Sequence, residues 1–323
     1  MLKNNKEIGG YLNLDIYTGD LYHKDVLLLN TGRGCLRYLI QKRNIKCIWM
    51  PYFLCDTVID ACQKEKVDLK FYRINESFIP EKIELDENDW LYFINYYGQF
   101  SNADIKKIVN KYERVIVDST HAFFQKPLEN IDTIYSCRKF FGVSDGGLLS
   151  SKLDMDNRLI FDLSAHRMSH ILGAFEKETS MFYKDFLKNE EAFSQLPPMR
   201  MSKLTENILR AIDYDKIKKK RTNNFLILQE RLGKKNRLKL KNIKGGFMYP
   251  FWIKNGSKIR RRLIEKKIYI PVLWPNVLEV CQSQEVEYEL ANNILPLPID
   301  QRYAESDMQY MAQEILKLVD NSV

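Results

Sequence analysis

The chain has 323 residues, enough for one large domain or two of ordinary size. Its 45% hydrophobic and 28% charged residues fit a globular protein with a packed core and exclude a fibrous or low-complexity chain. A net charge of +8 invites a nucleic-acid reading. The basic runs Lys216–Arg221, Lys234–Lys244 and Lys258–Lys267, however, interleave with apolar residues such as Ile217, Phe225, Leu228 and Leu232, as solvated helix faces do.

In chain order, Val26–Leu29 predicts a strand and Arg33–Arg43 a helix. Cys47–Met50 predicts a second strand and Asp56–Lys66 a second helix. Strands follow at Leu69–Tyr72, Trp90–Asn95 and Val115–Val117, with a helix at Asn102–Tyr112. This alternation is that of an α/β domain with a mostly parallel sheet covered by helices. From Arg158 to Leu232 the pattern is mainly helical, broken at Pro197-Pro198. Gly246–Ile253 and Ile268–Ile270 read as strands, and Ser306–Asp320 as a closing helix with Ser306 as its N-cap. The expected division is a large domain over 1–212 and a small α+β domain over 213–323.

Six scattered cysteines lack a CxxC pair, and Met1–Glu7 lacks the apolar stretch of a secretory leader. No apolar run reaches the length of a membrane span. These features lead to the expectation of reduced thiols and a cytoplasmic protein without a membrane span. His166 and His170 stand at i,i+4, but no acidic or cysteine ligand lies near them in sequence, so no metal site is expected.

Ligands of open α/β sheets gather at the carboxyl ends of the strands. Two segments fall there. Thr31-Gly32-Arg33-Gly34-Cys35 follows the first strand and opens a helix, a turn suited to a phosphate or simply to tight packing. Asp118 closes the run Val115-Ile116-Val117 and precedes Ser119-Thr120-His121-Ala122. Taken alone, Asp118 could equally be a helix cap and His121 a structural histidine. Lys139 follows in Ser136-Cys137-Arg138-Lys139-Phe140-Phe141, ahead of Ser144-Asp145-Gly146-Gly147. A loop lysine and a strand-end acid are the two protein groups that pyridoxal phosphate (PLP) requires. The amine takes the aldehyde as a Schiff base, and the carboxylate keeps the ring nitrogen protonated. Ser136 could donate to the phosphate.

Taken together and in order, these segments resemble the DegT/DnrJ/EryC1/StrS family of PLP-dependent sugar aminotransferases. The resemblance includes Ile8-Gly9-Gly10-Tyr11, Leu29–Leu36, Met50-Pro51-Tyr52, Tyr96-Tyr97-Gly98-Gln99, Val117–Ala122, Ser136–Lys139 with Asp145-Gly146-Gly147, and Leu295-Pro296-Leu297-Pro298-Ile299. It implies the aspartate-aminotransferase fold (fold type I), with a seven-stranded, mostly parallel sheet. Lys139 would be the Schiff-base lysine, Asp118 the partner of the pyridine nitrogen, and His121 a neighbour of the ring. Gly32, Arg33, Gly34 and Ser136 would hold the phosphate. A gapless match puts Cys55 where the family has a stacking aromatic, and Tyr52 or Phe53 is the expected substitute. The family's cross-subunit asparagine aligns with Pro198, and the Ser136–Lys139 spacing is two residues shorter than is common there.

The implied activity is transfer of an amino group, from glutamate, to a nucleotide-linked keto-sugar in polysaccharide or related glycan synthesis. A homodimer with its active site at the interface is implied too. Arg200, Tyr249 and Trp274 are candidate substrate contacts. Two alternatives stand beside this reading. One is a sugar dehydratase of the same fold, against which Lys139 argues because such enzymes carry histidine there. The other is a degenerate member that binds a ligand or partner without turnover.

Overall fold

A computed structural model describes residues 8–320; the polar stretch Met1–Glu7 and residues 321–323 lie outside the described residues. The first half alternates strand and helix: β1 (Leu27–Leu29), α1 (Gly32–Arg43), β2 (Cys47–Pro51), α2 (Asp56–Lys64), β3 (Asp68–Tyr72), β4 (Trp90–Ile94), α3 (Asn102–Tyr112) and β5 (Val115–Asp118). Two strands that carry no legible pattern follow, β6 (Thr133–Ser136) and β7 (Gly147–Ser150). All seven form one sheet in the order β1-β7-β6-β5-β4-β2-β3. The pairs from β3 through β6 are parallel, and β7 runs antiparallel to both β6 and β1. The fold is therefore mixed α/β with a mostly parallel sheet.

Apolar run and burial agree along the central strands. Leu91, Phe93, Ile94, Val115, Ile116 and Val117 are all buried, since helices cover both faces. Each such side chain contributes roughly 1.5–3 kcal/mol relative to exposure. Local signals fix the starts of two of these helices. Thr31 caps α1 by accepting from the Gly34 amide at 2.8 Å, and Ser101 with Asp104 forms a capping box on α3.

A helical stretch follows: α4 (Ser169–Glu176), α5 (Tyr183–Gln195), α6 (Lys203–Arg210) and α7 (Tyr214–Leu232). Then come β8 (Met248–Trp252), α8 (Gly256–Ile264), α9 (Val277–Val280), α10 (Val286–Asn293), β9 (Ile294–Pro298) and α11 (Glu305–Asp320). Strands β8 and β9 pair antiparallel as a second, small sheet. Around it Phe225, Leu228, Phe251, Leu295, Met311 and Ile315 build a separate core.

Two sequence expectations fail here. Ile268–Ile270 forms no strand: the segment is irregular, and Ile270 simply fills the core beside the small sheet. Ser306 is not the cap of the last helix, which begins a residue earlier at Glu305. The Ala304 amide donates instead to Asp307 Oδ2 at 2.6 Å.

Candidate functional site

Strand β5 delivers Asp118 to the carboxyl end of the sheet, flanked by parallel β4 and β6. The carboxylate is buried and its two oxygens are held separately. The Thr120 amide donates to Oδ1 at 2.8 Å and the Tyr92 hydroxyl to Oδ2 at 2.7 Å. Thr120 also faces the lysine: Lys139 Nζ donates to Thr120 Oγ1 at 3.0 Å. One residue thus joins the strand-end acid and the loop amine.

Lys139 sits in the connection between β6 and β7. That loop is closed by the Cys137 amide on Gly146 O at 3.0 Å and by the Phe140 and Phe141 amides on Cys137 O. Gly146 adopts φ +119°, a conformation that other residues rarely take. Gly147 packs so tightly on the α1 turn that a Cβ would lie 2.3 Å from the Thr31 carbonyl. The carbonyl of Phe140, next to the lysine, accepts from Arg221 Nη2 at 3.2 Å and Gln301 Nε2 at 2.7 Å. Asp145 is fully buried. It accepts from the Ser202 amide at 2.8 Å, the Ser202 hydroxyl at 2.7 Å and the Thr205 hydroxyl, which ties the loop to the start of α6.

A pocket of about 430 Å³ opens at this point. Its walls include Thr31, Gly32, Arg33, Tyr92, Asp118 and Thr120, with His121, Ser136, Arg138 and Lys139 beside them. Glu190 and Trp274 line it as well. Lys139 is solvent-accessible through this opening. The protein crowded around it lowers its pKa, and the charge of Asp118 works in the opposite sense. A lysine so placed reaches its neutral, nucleophilic form more easily.

His121 is buried and stacked on Phe247 at 4.5 Å, with the Trp274 ring parallel to it at 5.8 Å. Burial, aided by Lys139, holds its pKa well below the usual histidine value. The ring is therefore neutral near pH 7. Its Nδ1 accepts from the Tyr97 amide at 3.4 Å, which places the proton on Nε2.

The pocket brings together Lys139, Asp118, His121, Gly32, Arg33, Ser136 and Trp274. Gly34, the third residue of α1, is not in its wall. Three expected residues are elsewhere. Tyr52 packs on Phe71 at 5.2 Å and under the Arg73 guanidinium at 4.0 Å, and Cys55 takes the wall position instead. Tyr249 is buried in the core of the small sheet and bonds Gln229. Arg200 bonds Asn157 and lies over Phe161. Tyr92, Arg138 and Glu190 were missed. Tyr92 is hidden in an apolar strand, and Glu190 comes from a helix with no local motif. Among the described residues no group of three or more His, Cys, Asp or Glu could hold a metal ion, and no helix is long and apolar enough to cross a membrane.

No protein-family model matches the sequence, and no curated protein does. Solved structures do match. Spr1654 of Streptococcus pneumoniae in its PLP form superposes with a TM-score of 0.67 at 11% identity, over 95% of this chain and 93% of that one. The sugar aminotransferase CalS13 of Micromonospora echinospora gives 0.62 at 11%, over 90% and 86%. A DegT/DnrJ/EryC1/StrS aminotransferase of Brucella abortus gives 0.61 at 13%, over 91% and 85%. The chain has the fold of these proteins along nearly its whole length.

Proposed function

We propose that this chain is a PLP-dependent aminotransferase that moves an amino group from glutamate to a nucleotide-linked keto-sugar in glycan synthesis. One observation carries the proposal: Lys139 Nζ and the Asp118 carboxylate meet on Thr120, on one wall of a pocket that the α1 turn also lines. The residues fit the cofactor. The first turn of α1 offers a helix N-terminus and Arg33 to a phosphate, with Ser136 in the same pocket. His121 presents a flat neutral ring, and Asp118 a carboxylate with both oxygens fixed.

Bound there, PLP would supply an aldehyde that condenses with amines and a protonated ring that withdraws electrons. Lys139 would hold the cofactor, yield to the incoming amine, and then carry the proton between carbons at its Nζ. Asp118 would keep a positive charge on the ring nitrogen. Tyr92 and the Thr120 amide would orient Asp118 by donating to its two oxygens.

The substrate class, the donor, a homodimer and a cytoplasmic location belong to the proposal. The exposed apolar Leu172, Phe175 and Met181 support self-association, and six free cysteines support a reducing compartment. A domain boundary near 212/213 is proposed too, since the core around the small sheet draws on residues from 225 onward. Cys55 in the wall, where an aromatic is expected, favours a second reading: a PLP-fold protein that binds a ligand or partner without turnover.

The test is to purify the protein with PLP, record the visible spectrum, reduce with borohydride and map the labelled peptide. A yellow protein labelled at Lys139 supports the proposal, and a protein that never takes up PLP sinks it. Conversion to the pyridoxamine form by glutamate separates the enzyme from the silent binder.

A further inference from the structure

Arg33 and Arg138 share a single acid inside the pocket. Glu190 Oε2 lies 3.6 Å from Arg33 Nη2, and Glu190 Oε1 contacts Arg138 Nη2. Both arginine side chains are only 16% exposed. Their guanidiniums and that of Arg167 gather around the ring of Phe193, at 5.9, 4.6 and 4.9 Å. Arg167 has its own partner in buried Asp162 at 2.6 Å. Asp145 attracts Arg138 at longer range, but its oxygens are already taken by Ser202 and Thr205. Asp56 and Asp60 act on Arg33 only through space. Two desolvated cations therefore face one carboxylate. Burial, followed by repulsion from Arg33, drops the Arg138 pKa to about 9, as expected of a guanidinium short of counter-charge. The positive end of α1 adds to the excess, since Gly32 and Arg33 line the same pocket.

We infer that Glu190 is an internal counter-ion standing in the seat of a phosphate dianion, and that Arg138 joins Arg33 in binding that phosphate once Glu190 gives way. A phosphate monoester carries roughly −1.5 to −2 at pH 7 and offers three acceptor oxygens, against one charge and two oxygens on glutamate. Paired guanidinium forks match it better than they match a carboxylate. Glu190 is free to yield: its side chain is 35% exposed, and α5 buries only Asn189 and Phe193. The occupant we assign is the phosphate of the cofactor, so that assignment rests on the PLP reading, whereas the seat itself does not.

The experiment uses the full chain and inorganic phosphate, read by calorimetric titration and by melting temperature. In phosphate-free buffer Glu190→Gln should melt below wild type, because two cations lose their counter-charge. Saturating phosphate should restore it, since a ligand of the folded state alone stabilises that state. Glu190→Gln should bind phosphate about tenfold tighter than wild type, and Arg138→Met about tenfold weaker or worse. A purely structural Glu190 would give a melting loss that phosphate does not repair. That result, or Glu190→Gln binding phosphate no tighter than wild type, overturns the inference. If phosphate follows the expected pattern while PLP is never taken up, the seat stands and the cofactor assignment falls. If PLP labels Lys139 but both variants bind phosphate and PLP as wild type does, the cofactor reading stands and this inference falls.

Discussion

Tyr92 and Asp118 stand on neighbouring parallel strands, and the tyrosine hydroxyl donates to Asp118 Oδ2 at 2.7 Å. Burial and the charge of Asp118 push the Tyr92 pKa far up, so the hydroxyl remains a donor. Hydrogen bonds to a charged group are worth about 1.5–3 kcal/mol. On the proposed PLP reading, Tyr92→Phe should therefore keep the cofactor on Lys139 but lower turnover about tenfold or more. It should also shift the pH titration of the visible band, because the carboxylate facing the ring loses one of its two donors. Wild-type titration in the variant would remove Tyr92 from the electrostatics of the site.

Gly147→Ala tests the packing of β7 on the α1 turn. The added methyl would meet the Thr31 backbone at 2.3 Å, and backbone cannot rotate aside as a side chain can. A loss of about 2–4 kcal/mol of stability is expected in denaturant unfolding, with weaker PLP uptake. Unchanged unfolding would mean that β7 and the α1 turn are not in this contact.

Asp145 joins the lysine loop to α6 through three donors while fully buried. Asp145→Ala would leave the Ser202 amide and two hydroxyls without their acceptor. A loss of about 3 kcal/mol or more is expected, read as a fall in melting temperature. Asp145→Asn should recover part of it by keeping one acceptor oxygen.

His23 sets a pH dependence for stability. It is buried and its Nε2 donates to Phe123 O at 2.6 Å. Burial, aided by Lys126 and opposed by that carbonyl, lowers its pKa from 6.5 to about 4. Between these values the unfolded chain binds the proton and the folded one does not. Stability is thus complete above 6.5 and falls as pH drops toward 4, by about 3 kcal/mol in all. His121 works in the same direction. His23→Gln keeps a donor for Phe123 O and removes one titration. The stability lost between pH 7 and 4.5 should then shrink by roughly 2 kcal/mol in chemical unfolding. An unaltered slope would show that His23 does not carry it.

The parts legible in the sequence were those with local signatures. The helix at Asn102–Tyr112 was read to the residue, because Ser101 and Asp104 announce its start and its apolar spacing is regular. The run ending in Asp118 marked a central strand, and the strand does end at the pocket. Strands β6 and β7 escaped because four residues buried on nearly all sides show no alternation. In the pocket, Lys139 and Asp118 could be found from their flanks, whereas the Arg138–Glu190 contact joins residues far apart in sequence. Tyr52 was preferred to Cys55 by chemistry, but the backbone after Pro51 turns its ring onto Phe71 instead.

The double clamp on Phe140 bears on how the molecule is assembled. Arg221 and Gln301, which hold the carbonyl beside Lys139, lie 81 and 161 positions further along the chain. During synthesis the lysine emerges well before either of them. Its loop can close on Gly146 early, yet the peptide that aims the amine has no anchor until α7 and the segment after β9 have docked. The final placement of residue 139 is thus a late event in folding, gated by the C-terminal third of the chain.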